Sequence, residues 1–289
     1  MRLFTHPTLA RQRFRQIAEL PEEQLDLVEA SLVIALEDNP ALEISHYLDE
    51  VETLSRRTTS QVDRASWRAC PTPGDVERIV TSINRILFDE EGFHGEDEDY
   101  YDPRSALLNA LLDTHAGSPI TLSILYLEIT RRVGFEAVGV SLPGRFLVKF
   151  SGDFGQIVVD PYDGGRILST MELQKILDGV YGGGVRLREH HLRSLTRREI
   201  VARELAHLKS AYLSRHDLAR AAASADRLLI LDDRDPFELK DRAALAMQMH
   251  AYNVAIECLE RYLSLQPHAD DITRIREQIA YLRAWIDQN

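Results

Sequence analysis

The residues best placed to do chemistry are Ser118 and the two histidines nearest it, His94 and His115. Ser118 stands in "GSPITLS", residues 117–123, where a polar segment gives way to a long apolar run. A hydroxyl at the amino end of a buried helix suits a nucleophile, because the aligned peptide dipoles there favour negative charge. It needs a base within hydrogen-bond reach, and His94 or His115 would have to supply it. A thiol at the same place would have a lowered pKa. The same letters also spell a helix start, with Ser118 as N-cap and Pro119 at the first helical position. His115 in turn suits the carboxyl end of a preceding helix.

Other constellations point to weaker chemistry. Glu96, Asp97, Glu98, Asp99 and Asp102 share one loop and offer oxygens to a hard cation, but their spacing is not that of an EF-hand, and a solvated acidic loop is expected. His190 and His191 beside Glu189 are adjacent, so they point to different faces of any regular element and suit a linker better than a zinc site. "YGGGV" lacks the lysine and hydroxyl of a phosphate loop. Cys70 and Cys258 are too few and too far apart for a disulfide framework, and Cys258 reads as packing. Arg197, Arg198 and Arg203 read as a solvated helix face. The sequence implies no metal and no cofactor.

The whole chain limits the partners. Its 289 residues carry a net charge of −12, which disfavours nucleic acid and anionic membrane surfaces, since both call for a cationic face. No stretch approaches the roughly 20 apolar residues of a membrane span. A cytoplasmic protein is expected, and its oligomeric state is not legible.

The elements that must position these residues follow from hydrophobic period. "PEEQLDLVEASLVIALEDNP" and "ALEISHYLDEVETLSRR" predict helices, as does the stretch through Val76, Val80, Ile83 and Leu87. "RSALLNALLDTH" predicts a short helix, and Pro119 to about Val133 a buried one, apolar on nearly every face. The period then changes: "FEAVGVSL", "RFLVKF" and "QIVVD" predict strands, with Pro143–Gly144 as a tight turn, followed by a short helix. After about residue 195 the chain is helical and repeats at a shift of 34 residues, bringing Ala221 onto Ala255, Ala225 onto Leu259 and Leu228 onto Tyr262. That is the period of the tetratricopeptide (TPR) repeat.

The fold class expected is α+β with a C-terminal all-α module. The expected division is a helical N-terminal region at 1–60, a core with a small antiparallel sheet at 61–194, and TPR-like repeats with a capping helix at 195–289. At "INRILFDEEGFHGEDEDYYDP", "LLNALLDTHAGSPITLSILYLEITRRVGF", "GVSLPGRFLVKF" and "VVDPYDGG" the chain resembles the transglutaminase-like (papain-like) core. With the repeats it is similar to the bacterial SirB-type family, which joins such a core to TPRs. The resemblance implies a Cys–His–Asp triad. Its cysteine falls at or next to Pro119, its histidine at Arg145, and its acid at Asp160. Proline has no nucleophilic atom and arginine is always protonated, so only the acid position is retained.

The resemblance further implies that Arg145 and Asp160 face one another near the start of the buried helix. They would form either an ion pair or, with Ser118, a site for a small anion or peptide carboxylate. The reading preferred is a non-catalytic, regulatory interaction protein whose TPR groove binds a protein or peptide. Groove candidates are His207, Lys209 and Ser210 from one repeat and Lys240, Gln248 and His250 from the next. The alternatives are a hydrolase or acyltransferase using Ser118, and a small-anion sensor using Arg145.

Overall fold

The computed structural model describes residues 8–62, 72–96 and 102–288. The chain falls into two compact units, Met1–Glu204 and Leu205–Asn289.

The first unit opens with α1 (Leu9–Ala18), inside the region expected to be helical though without bounds read from sequence, and α2 (Leu27–Ala35). The helix expected from Pro21 starts later, after a 3₁₀ turn over Glu22–Gln24. Asp26 explains the shift: its carboxylate accepts the N–H of Glu29, whereas Pro21 has no acceptor side chain with which to cap. All of α2 except Glu29 is buried. Next come α3 (Ile44–Ser60) and α4 (Pro73–Asn84), the latter begun by a reciprocal Thr72–Asp75 capping box and continued by a π-turn over Arg85–Glu90.

Short strands β1 (His94–Gly95) and β2 (Ala116–Gly117) flank α5 (Leu108–Thr114) and pair in parallel. Then α6 (Pro119–Val133) runs through the centre with every residue from Ile120 to Thr130 buried, and stops at Gly134 in the left-handed conformation. It packs on α2, α3 and the sheet. Fully burying each of its leucines and isoleucines contributes roughly 1.5–3 kcal/mol, so α6 organises this unit.

The sheet contains the three expected strands, β3 (Val138–Leu142), β4 (Arg145–Gly152) and β5 (Gly155–Asp160). Two short ones join it, β6 (Arg166–Leu168) and β7 (Ser194–Leu195), on either side of α7 (Thr170–Tyr181). All neighbours are antiparallel, in the order β6-β5-β4-β3-β7. Leu142 pairs with Arg145, so Pro143–Gly144 form a two-residue turn, and Gly144 has φ +82°. A Cβ there would lie 2.8 Å from Val180 of α7, so both conformation and space call for glycine.

From α8 (Arg197–Ser214) onward the chain is helical: α9 (Leu218–Leu231), α10 (Pro236–Gln248), α11 (Tyr252–Leu265) and α12 (Ile272–Gln288). α9 and α11 begin and end 34 residues apart. So do their entry turns, where His216 and His250 have φ of 61° and 58°. Ala221, Ala225, Ala243, Ala246 and Ala255 are fully buried, the small residues that let repeat helices approach closely. Leu259, Tyr262, Ile275, Ile279 and Leu282 share one core with Ala243, Ala246 and Ala255.

Candidate functional site

Ser118 caps α6. Its hydroxyl accepts the Thr121 N–H at 3.4 Å and lies 3.1 Å from Thr121 Oγ1. Thr121 Oγ1 directs its own proton to a carbonyl, Ser105 O at 3.0 Å or Ser118 O at 3.1 Å, so Ser118 donates in that shared contact. The backbone N–H of Ser118 also goes to Ser105 O, at 2.9 Å. The residue is 2% exposed, and no imidazole is among its hydrogen-bond partners in the described residues.

Both nearby histidines are engaged elsewhere. His115 ends α5 with φ 62°, donates from Nδ1 to the carbonyl of Glu91 and stacks on Phe93 at 4.5 Å. His94 gives its Nδ1 proton to Gly92 O at 3.0 Å. A carbonyl only accepts, so Nδ1 is the donor in each ring.

The three positions implied by the resemblance meet at one cleft. Pro119 at the start of α6 and Arg145 at the start of β4 line it, and Asp160 at the end of β5 lies behind Arg145. Arg145 Nε is 3.6 Å from Asp160 Oδ2, and its guanidinium carbon is 4.9 Å from the ring centre of Tyr162. Asp160 is 2% exposed and takes the Tyr162 N–H at 3.1 Å. Burial pushes its carboxyl above the usual carboxylate range, and the Arg145 charge pulls the other way. Tyr162 is anchored in turn, its hydroxyl donating to Glu96 O at 2.7 Å. Its ring passes so close to β1 that a Cβ on Gly95 would sit 2.6 Å away. Across the cleft, α7 supplies Lys175, Ile176 and Val180, and the open cleft has a volume of about 390 Å³. Tyr162 and Lys175 were not singled out from sequence. The only pointer to Tyr162 was its place two residues after Asp160 in "VVDPYDGG".

This arrangement can orient an anion, and among the described residues the positions implied for the triad's nucleophile and base carry neither a thiol nor an imidazole. The first helical position is a proline, the base position is a permanent cation, and the adjacent hydroxyl is buried and internally bonded. Cys258 is no substitute, since burial pushes its thiol up to about 11. Cys70, Asp97, Glu98, Asp99, Tyr100 and Tyr101 lie outside the described residues. Asp102 caps the 3₁₀ turn over Pro103–Ala106, accepting the Arg104 N–H at 2.9 Å. His191 Nδ1 accepts the Arg188 N–H at 2.9 Å.

The basic spot at the start of α8 is not a solvated face. Arg197 pairs with the fully buried Glu128 of α6, and its N–H reaches Glu22. Arg198 donates to the carbonyls of Ala18 and Leu20. These side chains tie the helix to distant segments, which local sequence does not reveal. Arg203 is exposed.

Of the groove candidates, Ser210, Gln248 and His250 are exposed, and His207 and Lys240 are half-buried. Lys240 lies 3.2 Å from Asp271 and over the Tyr262 ring at 4.9 Å. His250 Nδ1 meets the Tyr252 hydroxyl at 2.8 Å. Lys209 departs from the expectation of a presented side chain. It is buried between Glu238 at 2.7 Å and Asp241 at 2.8 Å, which hold its ammonium above its usual range against the cost of burial. No helix among the described residues is long and apolar enough to cross a membrane.

Known proteins share this architecture. The transglutaminase-like superfamily matches residues 45–206, and the tetratricopeptide repeat matches residues 208–280. The UPF0162 protein of Xylella fastidiosa strain 9a5c is 33% identical over 273 residues, covering 93% of this chain and 94% of its own. That of Vibrio cholerae is 27% identical over 259 residues, covering 89% and 92%. Escherichia coli K12 YchA is 22% identical over 270 residues, covering 92% and 96%. A transglutaminase-like match over more than half the chain, and bacterial relatives alike along nearly its whole length, place it: the chain belongs to the transglutaminase-like superfamily and to the UPF0162 proteins, and carries tetratricopeptide repeats behind its core.

Proposed function

We propose that this is a non-catalytic interaction protein of bacterial regulation, in which a transglutaminase-like core without nucleophile or base is joined to a TPR module that binds a protein or peptide. One observation supports the reading: Pro119, at or next to which the resemblance implies the nucleophile, and Arg145, at the position it implies for the base, line one cleft, and neither can serve that role. The similarity to the SirB-type family is part of the proposal, as is action in the cytoplasm. TPR surfaces commonly receive peptides, and Ser210, Gln248 and His250 are the exposed groups offered for contact, beside the 75% exposed Phe237.

Affinity capture from the parent cell's lysate tests the proposal, comparing the full chain with a Ser210→Arg/Gln248→Arg variant. Both positions are exposed, so the fold is kept. The expected result is a partner whose recovery falls by about tenfold or more in the variant, as for centrally placed interface residues. A partner recovered equally by both chains would move binding away from the repeats.

A further inference from the structure

Arg145 is held without being consumed. Several arginines of this unit meet carboxylates directly, as Arg104 does Asp102 at 2.7 Å, Arg166 does Asp163 at 2.7 Å and Arg193 does Glu199 at 2.8 Å. Arg145 instead stands off at 3.6 Å from Asp160, beyond hydrogen-bond length, and its side chain makes no hydrogen bond among the described residues. Its guanidinium lies over the Tyr162 ring, 4.9 Å from the ring centre, and that ring is itself tied to Glu96. The planar fork therefore keeps its N–H donors open to a ligand, with one face resting on an anchored ring.

A second cation completes the cleft. Lys175 lines it from α7, is exposed, and has no ion pair among the described residues. With Asp160 ionised, Arg145 and Lys175 leave the cleft one positive charge in excess, which one monoanion balances. The remaining walls are apolar: Pro119, Ile176 and Val180.

Gly179 is the independent pointer. It sits inside α7, where glycine costs about 1 kcal/mol relative to alanine. Its backbone is not in the left-handed region, and a Cβ built there meets nothing within 4 Å. Neither conformation nor packing asks for glycine at this position, yet it lines the cleft. A local rule broken without structural gain marks a place kept open for function.

We infer that the cleft between the Pro143–Gly144 turn and α7 binds a carboxylate borne on a small aliphatic body, its oxygens taken by the Arg145 fork and the Lys175 ammonium. The planar carboxylate matches the guanidinium in two parallel hydrogen bonds, and Pro119, Ile176 and Val180 receive the aliphatic part. This goes beyond the interaction reading and does not depend on the repeats. The carboxylate can come from a peptide's C-terminus or from a free small acid.

Calorimetric titration of the full chain decides it. The probes are 4-methylvalerate, the tripeptide Ala-Ala-Leu, the amides of both, and inorganic phosphate. Each acid is expected to bind, and each amide to bind at least about tenfold more weakly, the loss typical of a charge-assisted contact. Gly179→Leu fills the mouth at a position with room and with helix-compatible backbone. It is expected to abolish acid binding while the melting temperature holds or rises. Lys175→Ala, an exposed change, is expected to weaken the acids about fivefold or more. The tripeptide binding much more tightly than 4-methylvalerate assigns the site to chain ends, and equal affinity assigns it to small acids. Equal binding of acid and amide would overturn the proposal. So would phosphate outcompeting both acids, unchanged binding in Gly179→Leu, or no acid binding up to about 10 mM, where affinity falls below roughly 3 kcal/mol.

Discussion

Replacing Lys209 with alanine lowers the stability of the repeat unit by about 3 kcal/mol, the lower end for removing one partner of a buried ion pair. The lysine ammonium is within 2.8 Å of carboxylate oxygens of both Glu238 and Asp241. The Lys209 and Glu238 side chains are each 10% exposed. Alanine leaves the Glu238 carboxylate without its cation in a site poorly reached by water, and that orphaned charge is the main cost. The double change Lys209→Met/Glu238→Leu removes both charges together. It is expected to recover to within about 1 kcal/mol of the parent, because well-packed apolar replacements of a buried pair are often neutral. Urea unfolding followed by circular dichroism measures both. If Lys209→Ala were as stable as the parent while losing a bound partner, Lys209 would belong to the binding surface after all.

Replacing Glu128 with alanine has a comparable effect in the first unit, about 3 kcal/mol. Glu128 is fully buried in α6, accepts from Arg131 Nε at 2.7 Å and from Leu27 N–H at 3.3 Å, and pairs with Arg197. The change removes the acceptor for the first N–H of α2, the anion between two guanidinium groups, and side-chain volume in a packed interior. Glu128→Gln keeps the shape and one acceptor, and is expected to lose about half as much. Because Glu128 is 0% exposed, raising salt to about 1 M leaves the difference between parent and alanine variant nearly unchanged. A loss that disappears in high salt would mean that the carboxylate acts through the surface.

These two residues mark where the sequence was legible and where it was not. Local chemistry announced α6, because Ser118 and Pro119 form a cap and first turn and Gly134 an end. The repeat was equally plain, since small residues recur at a period that α9 and α11 reproduce. The β3–β4 turn followed from Pro143–Gly144. What escaped depended on distant partners or short lengths. Strands β6 and β7, of three and two residues, are too short to show an alternation. Arg197 and Arg198 look solvated until Glu128 and the carbonyls of Ala18 and Leu20 are placed beside them. Lys209 finds its carboxylates 29 and 32 residues onward. At the cleft, the resemblance supplied Pro119, Arg145 and Asp160. Tyr162 and Lys175 emerged only from geometry, since neither a single aromatic nor a single exposed lysine has a local signature.

Reaction of the folded protein with a fluorophosphonate probe, read by intact mass and peptide mapping, tests the central claim that this core holds no working nucleophile. An activated serine is labelled stoichiometrically, whereas one whose proton is held by a threonine, with no imidazole bonded to it, is not. The account predicts no modification at Ser118 and the same trace from a Ser118→Ala variant. Stoichiometric labelling of Ser118 that vanishes in Ser118→Ala would contradict it and return the core to the enzymes.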